Sequence, residues 1–157
     1  ELTTEGGLDV VAELGRVKKA AKAFHHKSIL VSLFVDPETR QLEAAAEAGA
    51  DAVELHTGEY ANAAPPDRPA QLSRIHEAAR LGRELGLAVH AGHGLTYVNV
   101  VPVAALPEIE ELNIGHSIVS RAVLVGMERA VREMAEIMRG ARARIGEPGG
   151  WIHPLGY

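Results

Sequence analysis

Four short apolar runs, each stopped by a polar turn containing glycine or proline, constrain this chain more than any other feature. Ile29-Leu30-Val31-Ser32-Leu33-Phe34-Val35 ends at Asp36-Pro37, and Ala52-Val53-Glu54-Leu55 ends at His56-Thr57-Gly58. Leu87-Ala88-Val89-His90 leads into Ala91-Gly92-His93-Gly94, and Glu111-Leu112-Asn113-Ile114 into Gly115-His116. The first run, almost wholly apolar, suits a strand covered on both faces, as in a parallel sheet. The other three are candidate strands, each followed by a glycine-containing turn. Between and around them the spacing turns helical, which predicts helices over residues 9–27, 37–48, 71–85, 100–105 and 117–143. The first would bury Val10, Val11, Leu14, Val17, Ala21 and Phe24. The last would bury Val119, Val123, Met127, Ala130, Met134, Ile137 and Met138. Gly49 is a plausible stop for the second. Strand and helix in alternation are the mark of right-handed βαβ crossovers. Two α/β architectures use them: an open doubly wound sheet and a (β/α)8 barrel of TIM type. Four strands cannot close such a barrel, so the chain is either an open sheet or the later βα units of an incomplete barrel.

Composition narrows the function classes. With 157 residues, 46% of them hydrophobic and 24% charged, the chain can bury one sizeable core. A net charge of −5 and a pI near 5.9 argue against a nucleic-acid partner, which would demand a concentrated basic face. Without cysteine there is no thiolate zinc site, no disulfide scaffold and no Cys nucleophile. No apolar run approaches the roughly 20 residues of a membrane span, and no secretory signal is visible, so a cytoplasmic protein is expected. The chain begins at Glu1 inside what reads as an active-site loop, and a longer parent protein is therefore expected. Residues 1–145 form the βα body in this reading, with 146–157 an irregular tail whose Trp151 and Tyr157 either dock or fray. Residues 57–69 read as a long loop of the kind that forms lids.

The polar residues fall at one place. Both candidate architectures put chemistry at the carboxyl ends of their strands, and three successive strands each deliver an ionisable group there: Glu54, His93 and His116. A carboxylate inside an apolar strand is costly unless paired or hydrogen-bonded, so Glu54 requires a partner or a function. Gly92-His93-Gly94 and Gly115-His116-Ser117 also resemble turns that let backbone N–H groups close on an anion at a helix N-terminus. Tight turns that merely need glycine are the plainer alternative. Thr3-Thr4-Glu5-Gly6-Gly7-Leu8-Asp9 is a further turn of this type, with Asp9 as N-cap. A zinc site drawn from Glu54, His56, His90, His93 and His116 is the competing chemistry, although the glycine packing suits an anion better. His25, His26, His76 and His153 are assigned to helix ends, a solvated face and the tail.

These same stretches carry a resemblance. Thr3-Thr4-Glu5-Gly6-Gly7-Leu8-Asp9, Val31-Ser32-Leu33-Phe34, Glu54-Leu55-His56-Thr57-Gly58, Ala91-Gly92-His93-Gly94-Leu95-Thr96-Tyr97 and Glu111-Leu112-Asn113-Ile114-Gly115-His116 resemble the pyridoxine 5′-phosphate synthase family in order and approximate spacing, from Glu1 to about Arg142. The resemblance implies a (β/α)8 barrel that condenses 3-amino-2-oxopropyl phosphate with 1-deoxy-D-xylulose 5-phosphate. The products are pyridoxine 5′-phosphate, inorganic phosphate and water, in vitamin B6 biosynthesis. It implies no metal and no organic cofactor, small phosphorylated substrates as partners, and association into a homo-oligomer. By the same resemblance His93 is the general acid and Glu54 the carboxylate that stabilises the transition state. Thr3 contacts the deoxyxylulose phosphate, and Gly94, Gly115 and His116 contact the amino-oxopropyl phosphate. The family's first three strands and most of its fourth lie upstream of Glu1, with basic residues and phosphate-binding arginines. The chain alone is therefore expected to be inactive. Two rivals stand beside this reading: a metal-dependent barrel hydrolase or isomerase using Glu54, His56, His93 and His116, and a non-catalytic half-barrel that serves assembly.

Overall fold

The structure is a computed structural model and describes residues 6–143. Along the chain run α1 (Val10–His25), β1 (Ser32–Val35), α2 (Thr39–Ala48), β2 (Ala52–His56), α3 (Gly58–Asn62) and α4 (Arg68–Glu84). They are followed by β3 (Ala88–Gly92), α5 (Val100–Ala104), β4 (Glu111–Asn113), α6 (His116–Val125) and α7 (Met127–Ala143). The four strands form one parallel sheet in the order β1-β2-β3-β4. Consecutive order with right-handed crossovers places every connecting helix on the same side of the sheet. A doubly wound sheet would reverse its order at a switch point, and no reversal occurs among these strands.

Burial follows from that winding. Leu33, Val35, Val53, Leu55, Val89 and Ala91 point to the helical layer and are buried. Residues on the opposite face alternate with them, and this face carries Phe34, Glu54, His90, Glu111 and Asn113, none of them fully buried. The expectation of a strand covered on both faces is thus corrected: one face is packed and the other is open and polar. Ile29 and Leu30 also fall outside β1, and Leu30 is 79% exposed. Ile29 N–H instead bonds Phe24 O at the end of α1, and Val31 N–H bonds Asp51, so the strand starts later.

Side chains join the helices to this frame. Asp9 caps α1 by accepting from Ala12 N–H at 3.1 Å. The buried Gln41 on α2 donates to Asp9 and accepts from Val10 N–H at 2.8 Å, so two helices share one cap. Val10 and Ala21 are buried and Leu14 and Val17 pack against the core, while Val11 and Phe24 stay exposed, contrary to the helical pattern. Gly49 ends α2 at φ +81°, where a left-handed residue is needed.

Two further expectations give way. Residues 57–69 hold α3, whose Tyr60 is buried, and α4 already begins at Arg68, so a lid-like loop is replaced by packed helix. The single helix over 117–143 is two helices broken at Gly126 (φ +84°, ψ +153°), a conformation open to glycine alone. The break leaves α6 without a buried residue, and Val119, Val123 and Met127 are exposed; α7 buries Ala130 and Met134. No helix among the described residues is long and apolar enough to cross a membrane. Thr3, the tail 146–157 and its Trp151, His153 and Tyr157 lie outside the described residues.

Candidate active site

Register decides which side chains can meet at the open face. Glu54 lies opposite Phe34 on β1 and His90 on β3, while Gly92 at the end of β3 lies opposite Asn113 on β4. Because Gly92 has no side chain, Asn113 reaches over it. Asn113 Nδ2 donates to Glu54 Oε2 at 2.8 Å. A Cβ at Gly92 would collide with Glu54 Oε1 and stand 2.9 Å from Asn113 O. Glu54 therefore has the partner its position requires. The sequence pattern had implied burial among apolar neighbours; the side chain instead faces the open side.

His93 follows directly, at φ +81°. A non-glycine residue rarely occupies that left-handed region, and when it does the surroundings must hold it there. Here they do. Thr57, fully buried, donates its hydroxyl toward Gly92 O at 2.7 Å and His93 O at 2.5 Å, and its N–H bonds Gly92 O at 2.8 Å. The His56 ring meets the His93 ring edge-on with centroids 4.9 Å apart, and Phe34 closes the same aromatic group. His56 Nδ1 is 2.9 Å from Asp36 Oδ1, which also accepts from Gly7 N–H.

The loop beyond His93 is pinned at several points. Asn99 Nδ2 donates to Gly94 O at 3.2 Å, and Asn99 Oδ1 accepts from Thr96 N–H at 2.7 Å. The buried Tyr60 hydroxyl donates to Asn99 O at 2.7 Å; burial pushes this phenol up to about 12, so it stays a donor. Ser117 on α6 donates to Leu95 O at 2.8 Å, which joins the loop to the next βα turn.

Glu54, His93, Gly94, Gly115 and His116 line one cavity of about 450 Å³, together with Phe34, Leu95, Asn113 and Ile114. Its wall includes the start of α6, where Gly115 is N-cap and makes no side-chain capping bond. The first N–H groups of a helix have no intrahelical partners and carry partial positive charge, so they suit an anionic oxygen. Among the described residues, the lining contains no lysine or arginine. Any phosphate here would be met by main-chain amides and imidazoles. Chemically, the cavity offers an imidazole for proton transfer, an ionisable carboxylate across from it, and an anion-favouring helix end.

Of the candidates, Glu54, His93, Gly94, Gly115 and His116 line this cavity, His56 and His90 do not, and Thr3 lies outside the described residues. The structure adds Phe34, Asn113, Asp36, His56 and Thr57 in roles not foreseen. Asn113 was within reach of strand alternation, since it shares the open face with Glu54; the Asp36–His56 pair depends on register alone. Among the described residues, no three His, Asp or Glu side chains are grouped as a metal site would require. His56, a proposed ligand of the rival metal site, bonds Asp36 through Nδ1 and is not among the residues that line this cavity.

The consecutive parallel βα sheet with a cavity at its strand ends is an α/β architecture consistent with part of a TIM-type barrel. The family model described as "Pyridoxal phosphate biosynthesis protein PdxJ" matches residues 1–140, and the chain belongs to that family. It is 57% identical over 140 residues to the pyridoxine 5′-phosphate synthase of Trichlorobacter lovleyi, covering 88% of this chain and 59% of that protein. The synthase of Parasynechococcus marenigrum is 57% identical over 142 residues, 90% of this chain and 57% of the relative. That of Synechocystis sp. is 56% identical over 141 residues, 89% and 58% respectively. The chain thus spans 57–59% of the length of these relatives.

Proposed function

We propose that the chain is the later portion of a (β/α)8-barrel pyridoxine 5′-phosphate synthase. The full-length enzyme condenses 3-amino-2-oxopropyl phosphate with 1-deoxy-D-xylulose 5-phosphate, giving pyridoxine 5′-phosphate, phosphate and water in the cytoplasm, as a homo-oligomer. The observation that carries this reading is the shared cavity lined by Glu54 and His93 and by Gly115 and His116 at the N-terminus of α6. The consecutive parallel sheet, open on the face that would line a barrel, supports the architecture.

In this reading His93 gives a proton to a leaving oxygen, a task a positioned imidazole can perform. Glu54, oriented by Asn113, offsets cationic charge developing at an imine between the two substrates. Gly94, Gly115 and His116 hold the phosphate of the amino-oxopropyl substrate, and Thr3 contacts that of the deoxyxylulose phosphate. The reaction joins two substrates, and holding both in place is worth about 7–11 kcal/mol. The chain alone carries part of the required rim, and in this reading does not turn over.

The experiment compares this chain alone, the chain with the upstream portion of the Trichlorobacter lovleyi synthase supplied, and the full-length enzyme. Pyridoxine 5′-phosphate is measured from both substrates. The reading expects no product from the chain alone and product once the upstream portion is present. In the full-length enzyme, His93→Asn should lower kcat by about 10²- to 10⁴-fold, with substrate binding much less affected. An unchanged kcat would remove the general-acid assignment, and full turnover by the isolated chain would contradict the requirement for upstream residues.

A further inference from the structure

We propose that the tripeptide His56-Thr57-Gly58, braced by Asp36, is the device that positions the His93 imidazole for proton transfer. The proposal rests on the reading of His93 as proton donor and extends it to residues that do not line the cavity. His93 sits at φ +81°, a conformation that would relax if nothing opposed it. Each of the three residues after Leu55 opposes relaxation in a different way. The Thr57 hydroxyl, fully buried, is aimed at the carbonyls of Gly92 and His93, 2.7 and 2.5 Å away, and so fixes the peptide on which the imidazole is mounted. The His56 ring, 7% exposed, abuts the His93 ring edge-on at 4.9 Å and limits its rotation. Gly58 leaves the space in which both rings fit: a Cβ there would lie 2.6 Å from His56 Nε2 and 3.2 Å from His93 Cδ2.

Asp36 sets the orientation of the wedge. Its carboxylate accepts at 2.9 Å from His56 Nδ1, so a neutral His56 carries its proton on Nδ1. That assignment accounts for the other nitrogen. His56 Nε2 is buried without a hydrogen-bond partner. With the proton on Nδ1, the N–H of the ring is the group that is paired, and the unpartnered Nε2 beside Gly58 is an acceptor lone pair. Asp36 also accepts from Gly7 N–H at 3.1 Å, which ties the wedge to the chain segment preceding α1. None of these groups needs to touch substrate; they act through His93.

The test uses two readouts. In the full-length synthase, Thr57→Val keeps the shape and removes the hydroxyl. It is expected to lower kcat by about 10²-fold, the cost of a displacement of about 1 Å, with KM nearly unchanged. Thr57→Ser, which keeps the hydroxyl, should restore most of the rate. In the 157-residue chain with ¹⁵N-labelled histidine, nitrogen shifts should report the Nδ1–H tautomer of His56. Asp36→Asn should shift that tautomer and move the His93 ring signals with it. This arm serves also if Thr57→Val fails to fold. Equal losses in Thr57→Val and Thr57→Ser, or a His56 ring that carries its proton on Nε2, would overturn the proposal. So would His93 signals indifferent to Asp36→Asn. If instead His93→Asn leaves kcat unchanged, the proton-donor reading falls, while the nitrogen shifts still decide whether the wedge holds His93.

Discussion

Gly92 shows how much can depend on one absent side chain. Its position between Glu54 and Asn113 lets a carboxylate and an amide meet across a strand at 2.8 Å. Gly92→Ala would drive a methyl group into Glu54 Oε1, whose displacement would break the bond to Asn113, and against the Asn113 backbone, which has no such freedom to move. Stability should fall by about 1–3 kcal/mol, the usual cost of overpacking a filled site. Denaturant unfolding would measure that loss, and the full-length enzyme should lose turnover with it. That Glu54, His93 and His116 meet in one cavity was legible because each lies in or just after a strand of a parallel sheet. The placement of Asn113 on the open face was within reach of alternation, but its partner, and those of Asp36 and Thr57, lie 59, 20 and 35–36 residues away along the chain, and only the strand register brings them together.

At the scale of elements, the helices carry two kinds of glycine with opposite predictions. Gly15 on α1 has open space where a Cβ would go, so Gly15→Ala should stabilise by about 1 kcal/mol through helix propensity alone. Gly82 on α4 would place its Cβ 2.8 Å from Val89 Cγ2, at the helix–sheet contact. There the overpacking cost of about 1–3 kcal/mol outweighs the same propensity gain, and Gly82→Ala should lower the melting temperature. The α6–α7 pair adds a pH dependence. Glu133 accepts from Arg121 at 2.9 Å and from Arg129 at 2.8 Å, and these guanidiniums hold its carboxyl down at about 2. Its folded pKa lies below the unfolded value of 4.5, so the stabilisation is present above pH 4.5 and disappears as pH falls through about 2. The melting temperatures of the parent chain and Glu133→Gln should therefore differ near neutrality and converge across that acid window. The α6–α7 break itself was hidden in the sequence. Val119, Val123 and Met127 continue the helical period of the residues after them, and a lone glycine within a periodic run does not announce a change of direction.

The whole molecule is a sheet packed on one face only. The positions of the four strands and of α1, α2, α4 and α5 were readable from apolar runs, helical spacing and their stops, because local patterning specifies them. Which face stays open was not, because an apolar run looks the same whether one face is covered or two. Leu30 at the β1 side and Val123 and Leu124 on α6 are 79%, 81% and 79% exposed. Apolar surface of this kind, together with unpaired strand edges, favours association. The account predicts that the chain alone self-associates in sedimentation experiments. With the upstream portion of a relative added it should form a defined complex, whereas an unchanged monomer in both cases would count against barrel completion.

The central claim is that Gly94, Gly115 and His116 hold a phosphoester beside the His93 imidazole. Its most direct test is amide and imidazole shift mapping of the full-length synthase titrated with dihydroxyacetone phosphate, in which a hydroxyl replaces the substrate amine. The account predicts saturable shifts at the Gly94, Gly115 and His116 amides and at the His93 ring. Saturable shifts confined to another region, with these four sites silent, would contradict it.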